Sequence, residues 1–221
     1  MRYRQSKVRG RLVAWKRPFP GRDWATPCNV SVMRVIAGKY RSRQLRALHG
    51  LNIRPTADRL RETLFDVLTA GNPSALVGTV WVDLYAGTGA VGVEAISRGA
   101  GMVFFVESAT RAADLIKQNL RSLGLASGFQ ILKQDALRAL RALELQAAVA
   151  DFVFLDPPYN LEGAYTKVLS SLSQSPLLNS ETIVITEHQK KFDPGEKFAS
   201  LCRYRKLMQG DAALSFYRKS T

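Results

Sequence analysis

The chain has 221 residues, 46% of them hydrophobic, and a formal net charge of +14. That is enough to bury a full core in one domain, with room for an appendage, and its apolar runs fall well short of the roughly 20 residues a membrane-spanning helix needs. The two cysteines, Cys28 and Cys202, show no metal or redox spacing, and His49 and His188 lie far apart; this argues against a metal site or a His-based triad and suits a reducing cytoplasm.

The charge is unevenly spread. Residues 1–32 hold eight Lys/Arg against one acid, a balance of +7, and residues 33–62 hold eight against two, a balance of +6. The rest of the chain is close to neutral at +1. A basic front end on a neutral body is the footprint of a polyanionic partner, most simply nucleic acid. Residues 1–32 mix Arg, Lys, Pro and Gly without apolar period and read as a disordered basic extension, with no h-region of a secretory signal. Met33 is a candidate start of the protein proper.

From Met33 the chain order is as follows. Residues 33–36 and 43–48 read as short strands around the turn Gly38-Lys39-Tyr40, a basic β-hairpin module spanning 33–55. Arg41, Arg43 and Arg46 on it, with Arg54, are candidate contacts to nucleic-acid phosphates, solubility being the alternative reading. Arg54-Pro55 breaks the chain, and Thr56 is placed to cap a helix with Leu60, Leu64, Val67 and Leu68 on one stripe. Residues 56–221 then alternate strand and helix. Strands are predicted at 79–84, 102–106, 129–132, 152–155 and 182–186, and helices at 90–98, 110–123, about 136–146 and 164–173. This pattern predicts a mostly parallel α/β sheet with helices on both faces. Residues 203–207 and 213–217, joined by Gln209-Gly210-Asp211, read as an antiparallel C-terminal hairpin.

Two motifs carry the chemistry. Asp156-Pro157-Pro158-Tyr159 follows the apolar run Phe152–Leu155, and the paired prolines must end that strand. The corner offers a carboxylate, free carbonyls and an aromatic ring at the C-terminal edge of a sheet, where open α/β folds bind ligands. Those are the parts that stack a flat base and accept hydrogen bonds from its exocyclic amine, which makes Asp156, Pro157 and Tyr159 the candidate catalytic residues. Asp83-Leu84-Tyr85-Ala86-Gly87-Thr88-Gly89 follows the first core strand and opens a helix, a turn that lets backbone approach a ligand closely. Gly87, Gly89 and Gly92 also satisfy the dinucleotide pattern G-x-G-x-x-G, which is weak alone. Asp83, Glu107, Asp135 and Asp156 end four successive strands. An acid at Asp83 suits a ligand ammonium, Glu107 a ribose, and Asp135 with Ala136 an adenine amine. S-adenosylmethionine fits that set, with Asp83, Tyr85, Ala86, Gly87, Gly89, Glu107, Asp135, Ala136 and Asp156 as its candidate contacts.

At these residues the chain from Met33 onward resembles the RsmD family of bacterial 16S rRNA guanine-N2 methyltransferases. The likeness is carried by Arg34-Val35-Ile36-Ala37-Gly38, by Arg54-Pro55-Thr56-Ala57-Asp58-Arg59-Leu60-Arg61-Glu62, by Asp83 to Gly89, by Asp156 to Tyr159, and by Gly210-Asp211 with Leu214–Tyr217. The arginine-rich segment is the more specific of these; Asp-Pro-Pro-Tyr and the glycine turn occur in many amino-methyltransferases. Tyr85 departs mildly from the pattern, where Phe is expected. The resemblance implies a seven-stranded, Rossmann-like S-adenosylmethionine-dependent methyltransferase sheet with a reversed final hairpin. It also implies methylation of the exocyclic N2 of a guanine, of the guanine-966 type, in 16S rRNA of the small ribosomal subunit or an assembly intermediate. A cytoplasmic monomer is expected. The residues alone reach only amino-group methylation of a nucleic-acid base, and leave open a DNA adenine-N6 methyltransferase, an NAD-dependent oxidoreductase and a non-catalytic RNA-binding factor.

Overall fold

The computed structural model describes residues 33–47, 55–158 and 160–220. The expected N-terminal extension, Arg54 and Tyr159 lie outside them.

Helix α1 (Pro55–Thr69) begins two residues earlier than expected, so Thr56 sits in the first turn rather than ahead of it. Proline suits this position, because the N–H it lacks would have no acceptor there. Then follow β1 (Val80–Leu84), α2 (Ala90–Ser97), β2 (Met102–Val106), α3 (Thr110–Ser122), β3 (Phe129–Leu132), α4 (Ala136–Leu145), β4 (Ala150–Leu155), α5 (Glu162–Gln174), β5 (Leu178–Gln189), β6 (Lys197–Phe198), β7 (Leu201–Gln209) and β8 (Ala212–Lys219).

The strands form a single sheet in the order β3-β2-β1-β4-β5-β8-β7-β6. Strands β1 to β5 are parallel, and β8 inserts antiparallel between β5 and β7, reversing the end of the sheet as expected. The sheet has eight strands rather than seven: the two-residue β6 pairs with Leu201 and Cys202 of β7, and a piece that short leaves no periodicity to read. Strand β5 is also longer than its apolar stretch, because its polar end, Glu187 to Gln189, is paired with Ala212 to Leu214 of β8.

The pleat sorts side chains onto two faces. Trp81, Val103, Phe105, Phe152, Phe154 and Ile185 face α1, α2 and α3, which supply Leu60, Leu64, Phe65, Val93, Ile116 and Leu120. Val82, Leu84, Phe104, Val106, Val153 and Leu155 face α4 and α5, with Leu140, Leu143, Val168 and Leu172. Trp81, fully buried, stacks on Phe65 at 5.3 Å and packs against Phe152 at 5.1 Å. By parity Asp83 shares the Trp81 face, which directs it toward α2.

The N-terminal hairpin is less regular than expected. It has one antiparallel bridge, Arg34 to Gln44, with Val35 N–H donating to Arg43 O and Leu45 N–H to Met33 O. What holds it is the core beneath. Val35 and Leu45 are buried in the cluster of the α1–α3 face. The buried Glu94 carboxylate of α2 accepts the N–H groups of Ile36 and Ala37 at 2.8 and 2.9 Å, and the Arg98 guanidinium at 2.9 Å. Gly38 passes so close to α2 that a Cβ there would fall 1.9 Å from the Ser97 carbonyl oxygen. On the other arm, the buried Asn119 amide of α3 accepts from Arg46 N–H at 2.8 Å and donates to Arg46 O and Thr88 O.

Candidate active site

Residues 85–89 make the turn between β1 and α2, and three of them, Tyr85, Gly87 and Gly89, are left-handed (φ 62°, 55° and 78°). Glycine takes that conformation freely, whereas Tyr85 holds it under strain, as functional turns often do. Ala86 N–H donates to Val106 O, which fixes the turn to the end of β2. A Cβ at Gly87 would meet only the Tyr85 carbonyl, at 3.9 Å, so the tip of the turn faces open space. Gly92 serves packing instead: a Cβ there would lie 2.3 Å from the Phe105 ring, so α2 rests directly on β2.

The four strand-end acids behave differently. Asp83 is buried, and its Oδ2 accepts the Gly92 N–H at 2.9 Å. Burial pushes its carboxyl up to about 7, against the pull of that hydrogen bond and with a smaller push from Glu107. Glu107 faces the turn: one oxygen accepts the Gly87 N–H at 2.9 Å and the other the Ala109 N–H at 2.7 Å. Asp135 caps α4, accepting the Arg138 N–H at 3.0 Å and pairing with the Arg138 side chain at 3.3 Å, in an exposed position. Its charge nonetheless reaches Tyr85, whose phenol is raised by burial first and by Asp135 second. Asp156 follows β4 and its N–H meets Leu84 O at 3.4 Å. Its carboxyl stands well above the ordinary carboxylate value, through burial first and then the charges of Glu187 and Asp83.

The proline corner is partly committed. Pro157 is buried and Pro158 exposed, and the Pro158 carbonyl accepts the Leu161 N–H at 2.8 Å, closing a turn ahead of α5. The Pro158 carbonyl is therefore committed to that turn, and no hydrogen bond to the Pro157 carbonyl is seen among the described residues. A cavity of about 710 Å³ opens beside the corner, lined by Tyr85, Asp135 and Ala136 on one side and by Asn160, Leu161 and Lys167 on the other. That volume suits a ligand of nucleoside size.

On the basic hairpin, Arg41 is exposed. Arg43 and Arg46, also exposed, are engaged with α3 through Ser122 O at 2.8 Å and Gln118 Oε1 at 3.1 Å. Sequence reading missed three polar groups that the fold makes central. Glu94 and Asn119 sit among apolar helix positions and carried no pattern. Glu187 did carry one: it directly follows the predicted strand at 182–186, as Glu107 and Asp156 follow theirs.

Glycines at the turn, an open tip, a carboxylate at each of the first two strand ends and an adjoining cavity fit the methionyl nucleoside donor better than a pyrophosphate, which the buried Asp83 would repel. Fold and site together define the class: an S-adenosylmethionine-dependent methyltransferase.

Known proteins point the same way. The chain is 32% identical over 187 residues to YlbH of Bacillus subtilis (strain 168), covering 85% of this chain and 99% of that one. It is 34% identical over 166 residues to ribosomal RNA small subunit methyltransferase D of Haemophilus influenzae, covering 75% and 83%. The solved structure of yhhF from Escherichia coli superposes with a TM-score of 0.71 at 26% identity, covering 86% of this chain and 98% of that one. The chain belongs to the family described as Conserved hypothetical protein 95, whose model matches residues 33–218, and it is related to the RsmD 16S rRNA methyltransferases.

Proposed function

We propose that the chain methylates the exocyclic N2 amine of a guanine in 16S rRNA of the small ribosomal subunit, using S-adenosylmethionine. The observation that carries this reading is the corner after β4, where a deeply set carboxylate and the Pro157 carbonyl stand beside the glycine turn and its strand-end acids. The relationship to small-subunit rRNA methyltransferases supports the choice of substrate. When bound, the donor supplies an electrophilic methyl carbon on sulfonium.

The protein's own part is orientation. A guanine amine is a poor nucleophile because its lone pair is delocalised into the ring, so holding it in line supplies much of the rate. Asp156 and the Pro157 carbonyl accept its two N–H groups, favouring a pyramidal nitrogen and offsetting the positive charge that develops there. Tyr159, outside the described residues, is assigned from its place in the sequence to stack on a base that has left its helix. Asp83, the turn residues Tyr85, Ala86, Gly87 and Gly89, Glu107, Asp135 and Ala136 hold the donor. Arg41 and Arg54 contact phosphates, joined by Arg43 and Arg46 once RNA competes for their guanidinium groups.

The test is methyl incorporation from labelled donor into 30S particles, free 16S rRNA and duplex DNA, with the modified base mapped. Guanine-N2 in rRNA is the expected product; adenine-N6 in DNA would overturn the substrate, and no incorporation anywhere would overturn the reading. Asp156→Ala should retain donor binding and lose turnover by at least about a hundredfold, as losing a preorganised acceptor does. Near-normal turnover would remove the assigned role.

A further inference from the structure

Glu187 is the acid the site does not yet explain. The parallel pair β4–β5 ends its register at Leu155 opposite Thr186, so the next two residues, Asp156 and Glu187, are cross-strand neighbours. Asp83, Phe154 and Ile185 form one row across β1, β4 and β5. Asp156 and Glu187 are the next positions up on that same face. Helix α1 covers the face with Leu60, Leu64 and Phe65 and brings Arg61, which is 6% exposed. One Arg61 nitrogen donates to Arg34 O at 2.8 Å and to Asp58 at 3.0 Å, while its Nε is buried without a hydrogen-bond partner among the described residues.

Among the described residues, the groups that face this pair come from three neighbouring elements. Strand β1 gives Asp83, α1 gives Arg61, and the β8 residue opposite Glu187 is Leu214, backed by Leu207 of β7. The backbone of Glu187 is fixed from the far side, where the Tyr165 hydroxyl donates to its carbonyl at 2.7 Å. Two carboxyls side by side in a low-dielectric corner do not both ionise readily. Burial raises Glu187 to about 7 and the Arg61 charge works against that rise. Asp156 is raised as well, by burial first and by the charge of Glu187 second. The two carboxyls are thus coupled through their charges, and the Arg61 guanidinium favours the anionic form of Glu187.

We propose that Glu187 is a positioning residue that governs the charge state of Asp156, so that the corner presents an anion to the substrate amine only once the pair has released its shared proton. The link to catalysis rests on the reading given under Proposed function. As the amine nitrogen bonds to the methyl carbon and the C–S bonding pair stays on sulfur, the amine must shed one proton. An ionised Asp156 accepts it and passes it to solvent; a protonated Asp156 has no capacity to do so.

The deciding measurement is a carboxyl ¹³C NMR titration of Asp156, assigned by the signal lost in Asp156→Asn, in the wild type, Glu187→Gln, Glu187→Ala and Glu187→Asp. Removing the neighbouring charge in Glu187→Gln or Glu187→Ala should lower the Asp156 midpoint by at least roughly half a pH unit, while Glu187→Asp keeps it near the wild type. An unmoved midpoint in whichever neutral variant folds overturns the proposal, with or without a known substrate. In the methyl-transfer assay, the acidic limb of kcat/KM should shift to lower pH in Glu187→Gln, so that activity at pH 6 relative to its own plateau rises about threefold or more. A lower plateau with an unshifted limb would mark Glu187 as merely structural. If the NMR shift is present but no substrate is methylated, the functional reading fails and the coupling between the two carboxyls stands.

Discussion

At the scale of single residues, the site is built from side chains whose ordinary tendencies are overridden by position. Tyr85 holds a left-handed backbone that a glycine would take without cost, and in return its ring lines the cavity beside Asp135. Gly92 gives up a side chain so that its N–H can reach Asp83 and α2 can lie on Phe105. Glu107 is the most instructive of these. Its two oxygens are taken by the Gly87 and Ala109 N–H groups, so the carboxylate shapes the turn against which the proposed donor would lie. Hydrogen bonds to a charged group are worth about 1.5–3 kcal/mol each. Glu107→Ala should therefore weaken donor binding about ten- to hundredfold, read by isothermal titration calorimetry with S-adenosylhomocysteine. The melting temperature without ligand should fall only slightly, because the group is half-buried. Unchanged affinity would remove Glu107 from the donor site.

Among the elements, the hairpin shows most clearly how local sequence and tertiary packing divide the work. Its residues 33–47 make only one bridge of their own, and a two-stranded hairpin alone is marginal in water. The structure supplies the rest from α2 and α3, through the Glu94 carboxylate and the Asn119 amide. Removing one partner of a buried, charged hydrogen-bonded group costs about 3–5 kcal/mol. Glu94→Ala is thus expected to lower global stability by several kcal/mol in denaturant titration, and to speed hydrogen exchange at Ile36 and Ala37 before the sheet amides. Equal protection in variant and wild type would show that the apolar contacts of Val35 and Leu45 suffice. This division also explains what could be read from the chain. The β-α alternation, the proline corner and the glycine turn announce themselves because each is a local pattern of period, chain breaker or φ demand. Glu94 and Asn119 were illegible because their partners are 57 and 73 residues away and nothing near them marks the pairing. Strand β6 is too short to hold a period, and Thr56 looked like a cap only because the proline before it was read as a break. Glu187 was legible in principle: the strand-end rule that found Asp156 applies equally to β5, and its polar tail hid it.

Across the whole molecule, the acids gathered at one sheet edge impose a cost on the fold that depends on pH. Asp83 and Glu187 sit in the native state with carboxyls pushed up to about 7, chiefly by burial, whereas the unfolded chain leaves them near 4. The native state therefore binds more protons than the unfolded one between those values, and stability falls as pH rises through 7. Asp156 acts in the same direction. Two groups act oppositely, but elsewhere on the pH scale. His188, buried against Ser215 and lowered by that burial, takes stability away as pH drops through its ordinary 6.5. Asp193, held down by Arg203, loses it only on acidification through the usual carboxylate range. Between pH 8 and 6.5 the strand-end acids outweigh His188 among the described residues, and protonating Asp83 and Glu187 should stabilise the protein by on the order of 1–2 kcal/mol, a gain of a few degrees in melting temperature for a chain of this size. Asp83→Asn should show a flatter dependence over the same window. Saturating S-adenosylmethionine should flatten it too, since a cationic donor favours the ionised form of Asp83 and binds less tightly as that group protonates. A wild-type melting temperature that rises from pH 6.5 to 8 would mean that these carboxyls are already ionised in the native fold, with water or a counter-charge relieving them.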